Sequence, residues 1–173
     1  MGILIVAAVA TAIGFLLILL IGKGQPISPA SPTNLAREGH GEMAWVRAYG
    51  IEGLQRLLLM LFTEMGFNAE RSERGAASVD LFANDPTPIR GGRLYVHGVL
   101  GAPGVPTDAD EVRNMIESAR AEFVGKAVLV VLGTFTTDAR DAARGNPIDL
   151  IDGDDLSRLV RKHMPQAFAQ RKI

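Results

Sequence analysis

Two side chains in the stretch DLFANDPTPIRGGRLYVHGV (Asp80 to Val99) could do chemistry together: the carboxylate of Asp80 and the imidazole of His97. Asp80 offers a hard oxygen of the kind Mg²⁺ takes, and the backbone carbonyl of Gly98 could add another. His97 offers nitrogen, which suits zinc and other transition metals better. Alternate residues share a face of a regular strand, so Arg93 points the same way as His97 and Val99 and could present its guanidinium to a phosphate. Glu52 stands early in a helical stretch, where a carboxylate favours the helix dipole. Thr134, Thr136 and Thr137 precede another helix, whose N-terminus could receive a phosphate. Arg140 and Arg144 are spaced to share a face of that helix. Arg158, Arg161, Lys162, Arg171 and Lys172 make the C-terminus basic.

The elements that must position these groups follow from periodicity. Ile51, Leu54, Leu57, Leu58, Leu61 and Phe62 recur at helical spacing, and Gly66 ends that helix. Phe67 to Ser72 is a short extended run. Val79 to Ala83 alternates as a strand; NDPTP breaks it, and Arg93 to Val99 is the next strand. Asp108 or Asp110 can cap a helix carrying Val112, Met115, Ile116, Ala119 and Phe123 on one face. Ala127 to Leu132, AVLVVL, is apolar throughout and suits a strand covered on both sides. A loop and short helix end at Gly145, PIDLI forms a last strand, and Asp152 caps a closing helix. The expected order is α-β-β-β-α-β-α-β-α: an antiparallel start, then right-handed crossovers.

The chain has 173 residues, a net charge of −1 and no cysteine. Disulfides, thiolate metal sites and cysteine nucleophiles are excluded, as is a global basic field for nucleic acid. Residues 3–22 read ILIVAAVATAIGFLLILLIG, uncharged and apolar on every side. A helix of that length spans about 30 Å, the hydrocarbon thickness of a bilayer. We read it as a single transmembrane helix through which the protein meets lipid. Lys23 after the span and no basic side chain before it place the C-terminal part in the cytoplasm by the positive-inside bias. Residues 23–43, rich in Pro, Ser and Gly, form a flexible linker. Residues 44–165 form one α/β domain, and residues 166–173 a basic tail.

Four pieces of that domain together resemble the Mrr-type (type IV) restriction endonuclease domain. IEGLQRLLLMLFTEMGF is similar to its opening helix, and VDLFA to the strand bearing its metal-binding Asp. KAVLVVLGTFTTDARDAA and PIDLIDGDDLSRLV are similar to its two later motifs. The resemblance covers Ile51 to His163. It implies a restriction-endonuclease-like mixed sheet flanked by helices, DNA as partner and Mg²⁺ as cofactor. It also implies Asp80 as catalytic residue and metal ligand, with Glu52 as the helix acid. The family's Gln/Glu and Lys are replaced by His97 and Val99.

An aliphatic side chain cannot steady the charge that develops on a cleaved phosphate. Losing one preorganised electrostatic group costs roughly 2.7–4 kcal/mol, or about 10²–10³ in rate. Three readings stay open. The domain binds DNA, through Arg93, Arg113, Thr134 and Arg140, with impaired or lost nuclease chemistry. Alternatively it is an active Mg²⁺-dependent endonuclease with a rearranged site, in which Arg93, Arg113 or Lys126 supplies the missing charge. In the third reading it is a structural membrane protein or protein-interaction module.

Overall fold

The computed structural model describes residues 43–72, 79–88 and 91–169. The apolar span at 3–22 and nearly all of the expected linker lie outside the described residues. Among those described, no helix is long and apolar enough to cross a membrane.

The elements run α1 (Ala44–Ala48), α2 (Gly50–Glu64), β1 (Asn68–Arg71), β2 (Val79–Asn84), β3 (Arg93–Val99), α3 (Ala109–Ala121), β4 (Lys126–Val131), α4 (Thr137–Ala143), β5 (Ile148–Ile151), α5 (Gly153–His163) and α6 (Gln166–Ala169). The strands form one sheet in the order β1-β2-β3-β4-β5. β1–β2 and β2–β3 pair antiparallel, β3–β4 and β4–β5 parallel. This is the expected mixed α/β sheet, with α1 and α6 added. Each of those two is about one turn, too short to leave a periodic pattern. Met43, expected in the linker, is buried in the core beside Val46.

Strand alternation divides the core in two. Val79, Leu81, Ala83, Val96, Val128 and Val130 face one way and pack with Leu54, Leu57, Leu58 and Leu61 of α2 and Leu156 and Val160 of α5. Phe82, Tyr95, Ala127, Leu129 and Val131 face the other way and pack with Val112, Met115 and Ala119 of α3 and Ala139 of α4. The continuous apolar run in β4 is thus covered on both sides, as a central parallel strand requires. Gly98 lets α2 approach: a Cβ there would lie 3.0 Å from both Leu58 Cδ1 and Val79 Cβ. The starts of α3, α4 and α5 are fixed by side-chain oxygens. Asp108, rather than Asp110, accepts from the amides of Asp110 and Glu111; Thr136 accepts from Ala139 and Asp152 from Asp155.

Candidate functional site

Asp80 sits directly opposite His97 in the β2–β3 ladder. Both point to the α3 side of the sheet, as does Tyr95 two residues before His97. The Tyr95 hydroxyl donates to Asp80 Oδ1 at 2.8 Å, and His97 Nδ1 lies 2.7 Å from that same oxygen. The other ring nitrogen, Nε2, lies 3.4 Å from Glu111 Oε1. The Asp108 cap starts α3 and so sets Glu111, one residue before the fully buried Val112, over the end of β3. The side chains of Asp80, His97 and Glu111 are 7%, 19% and 37% exposed, so the chain of contacts runs from the core out to solvent.

The electrostatics follow from that ordering. Burial alone works against a charged His97, but the hydrogen bond and charge of Asp80, then the charge of Glu111, outweigh it and lift the imidazole pKa above its ordinary value. An Nδ1 held against a carboxylate carries a proton, which leaves Nε2 to define what else the ring can do.

The remaining expected site residues are dispersed. Val99 packs into the α3–α4 side of the core. Arg93 shares the face of His97, as strand parity requires, but at the far end of the strand opposite Asn84. There its guanidinium lies 3.7 Å over the Phe82 ring and 3.6 Å from Glu70. Lys126 starts β4 and pairs with Asp149 at 2.6 Å, and Arg113 pairs with Asp110. Lys126 stands opposite Leu94, at the other end of the β3–β4 pair from Val99. Arg140 pairs with Asp152 at 3.0 Å, 5.7 Å from the Phe135 ring centre. The Thr134 carbonyl accepts from the Thr107 amide at 2.8 Å, and Thr136 is the residue that caps α4. Glu52 is exposed on α2, which packs on the opposite sheet face from Asp80; it lines a depression with Trp45, Tyr49 and Arg56.

Tyr95 and Glu111 are the partners that sequence reasoning passed over. Tyr95 was legible, since strand parity alone puts it beside His97. Glu111 was not, because only the packing of α3 onto the sheet brings it there. The partner of His97 Nδ1 is a side-chain carboxylate. An apolar cavity of about 490 Å³ between α2, α5 and the sheet is lined by Leu58, Phe62 and Leu159 and does not border Asp80.

Among the described residues, no three His, Asp or Glu side chains are grouped to hold a metal ion. The donors at Asp80 do not suit Mg²⁺. One carboxylate oxygen already takes the Tyr95 hydroxyl and the His97 ring, and the neighbouring donor is nitrogen, whereas Mg²⁺ needs near-octahedral oxygen.

Two solved structures share the fold. One is the DNA modification-dependent restriction endonuclease AspBHI, with a TM-score of 0.62 and 14% identity over 82% of this chain. The other is the MspJI restriction endonuclease in complex with a 27-mer oligonucleotide, with a TM-score of 0.52 and 22% identity over 80% of this chain. This chain spans 39% and 33% of their respective lengths. No curated protein matches. The family model described as restriction endonuclease, the Mrr catalytic domain, matches residues 46–160. With that model covering residues 46–160, the chain belongs to the Mrr-type restriction endonuclease family.

Proposed function

We propose that this protein is a membrane-tethered DNA-binding domain whose Mg²⁺-dependent nuclease chemistry has been lost. One observation carries the reading: the acid a nuclease of this family would give to its metal is held by its own neighbours. Asp80 Oδ1 accepts from Tyr95 and lies against His97, while Val99 stands where a lysine would act. The three cations that could replace that lysine are engaged with Glu70, Asp110 and Asp149. Two carboxylates around one imidazole also give the cluster an acidic character that repels a phosphodiester.

Family membership supports DNA as the partner, and the structurally similar MspJI endonuclease was solved in complex with a 27-mer oligonucleotide. Arg93, Arg113, Thr134 and Arg140 are the contacts we propose, made to phosphate. The apolar span at residues 3–22 supports a single-pass tether, with the domain on the cytoplasmic side. The test is retention of a labelled duplex by the full chain in mild detergent across a salt series. Binding at low salt that weakens linearly in log–log form supports the reading. No retention at low salt overturns its DNA part.

A second reading has an observation in its favour. Arg113, Arg140, Arg144 and Arg158 each pair with an aspartate of this chain, which reduces the charge they can offer to phosphate. A protein-interaction module would bind its partner without the steep salt dependence of DNA.

A further inference from the structure

One end of the sheet carries a knob and a hole side by side. The knob is Phe123, just past the end of α3, with its ring 96% exposed and its backbone at φ 54°. A single exposed ring is ordinary on a surface. This one also occupies a left-handed turn that glycine takes without strain, so the position gives up stability twice. The hole is the apolar cavity of about 490 Å³ between α2, α5 and the sheet, walled by Phe62, Met65, Leu94 and Leu159. A cavity of about 150 Å³ already admits benzene, so a phenyl ring fits with space to spare. The charged lining residues Asp85, Arg93, Lys126 and Asp149 reach solvent and mark the mouth. Gly125, exposed at the same mouth, lies two residues after Phe123, a span of at most about 7 Å.

We propose that two copies of this chain pair about a two-fold axis, each inserting Phe123 into the cavity of the other. The ring does not seat in its own cavity, since it is almost wholly exposed. A knob remote from its hole would join copies into open chains, whereas a knob beside its hole closes a two-fold pair. A surface that meets itself must also avoid an excess of one charge. Two cations and two carboxylates at the mouth cancel, and Lys126 already meets Asp149 at 2.6 Å, a pairing that two copies can exchange. That count disfavours a fatty acid or phospholipid as occupant: Asp149 engages Lys126 and Glu70 engages Arg93, which leaves no spare cation at the mouth for an anionic headgroup. The pairing depends on neither DNA nor a membrane. It leaves the Asp80–His97 end of the sheet uncovered, because the mouth lies where β3 and β4 begin.

The experiment measures the mass of the full chain in mild detergent by sedimentation across a concentration series. Wild type passes from one copy to two per particle. Phe123→Gly weakens pairing roughly 30-fold or more, as loss of a central aromatic anchor does. Leu159→Trp, which sets a bulkier ring in the cavity, weakens it as well. A mixture of the two variants pairs more tightly than either alone, because the knob of one meets the open hole of the other. Phe123→Gly melts above wild type in dilute solution, where only the turn matters, and below it at concentrations where wild type is paired. Circular dichroism reports folding; if Leu159→Trp is not folded, Gly125→Trp takes its place, since a Cβ there meets nothing within 4 Å. Wild type single at every concentration, Phe123→Gly of unchanged pairing affinity, or a mixture no tighter than its separate variants each overturns the proposal. So does an amphiphile released from single-copy wild type and seen by mass spectrometry, which would give the cavity to a small ligand.

Discussion

His97 is flanked by two carboxylates, so folding stabilises its charge. Its pKa is raised in the folded protein from an ordinary 6.5. The stability this contributes is fully present below pH 6.5 and is lost as pH rises through the folded value. In metal-free buffer, the melting temperature of wild type therefore exceeds that of His97→Gln most at pH 6, and the gap narrows toward pH 9. A gap that widens with pH contradicts the assignment. Tyr95→Phe removes one of the donors to a buried carboxylate and destabilises by about 1–3 kcal/mol, measured by urea unfolding. At this scale the sequence revealed half of the cluster. Asp80, Tyr95 and His97 lie on facing strands and share a parity that can be counted. Glu111 belongs to a helix whose seating on the sheet depends on Val112 and Met115 finding Tyr95 and Leu129, a tertiary event that no local spacing encodes.

The elements were more legible than the contacts. The apolar stripe of α2, the alternation of β2 and the unbroken apolar run of β4 each reflect which faces are buried, and burial fixes period. Asp108, Thr136 and Asp152 mark helix starts because each satisfies amides that have no partner within the helix. Single-turn α1 and α6 escaped notice, since one turn cannot display a period. Gly98 had no visible reason until α2 was seen to rest against it. Gly98→Ala places a methyl 3.0 Å from Leu58 and Val79 and costs about 1–3 kcal/mol, seen as a lower melting temperature. Phe123 has the opposite character. It follows α3 at φ 54°, in a turn where the amides of Phe123 and Val124 return to the carbonyls of Arg120 and Ala119, and its ring is 96% exposed. Glycine is the usual residue there, so Phe123→Gly raises stability by up to about 1 kcal/mol. A loss of stability would mean that the ring makes contacts its exposure does not suggest.

For the whole molecule, family and sheet topology agree, and the four sequence motifs fell in the order that the sheet requires. What the motifs did not convey is that two cations offered as replacements for the missing lysine are held in separate ion pairs, Arg93 with Glu70 and Lys126 with Asp149, at the end of the sheet far from His97. The proposed tether is tested by fractionation: the full chain stays with membranes through an alkaline wash, and a chain lacking residues 3–22 is released. The central claim is that a strand acid held by its neighbours, beside an aliphatic residue in the lysine position, no longer supports phosphodiester cleavage. Its most direct test is conversion of supercoiled plasmid by the purified full chain with Mg²⁺ or Mn²⁺, alongside Asp80→Ala. The account predicts no nicking above the Asp80→Ala background with either metal; cleavage by wild type that disappears in Asp80→Ala would contradict it.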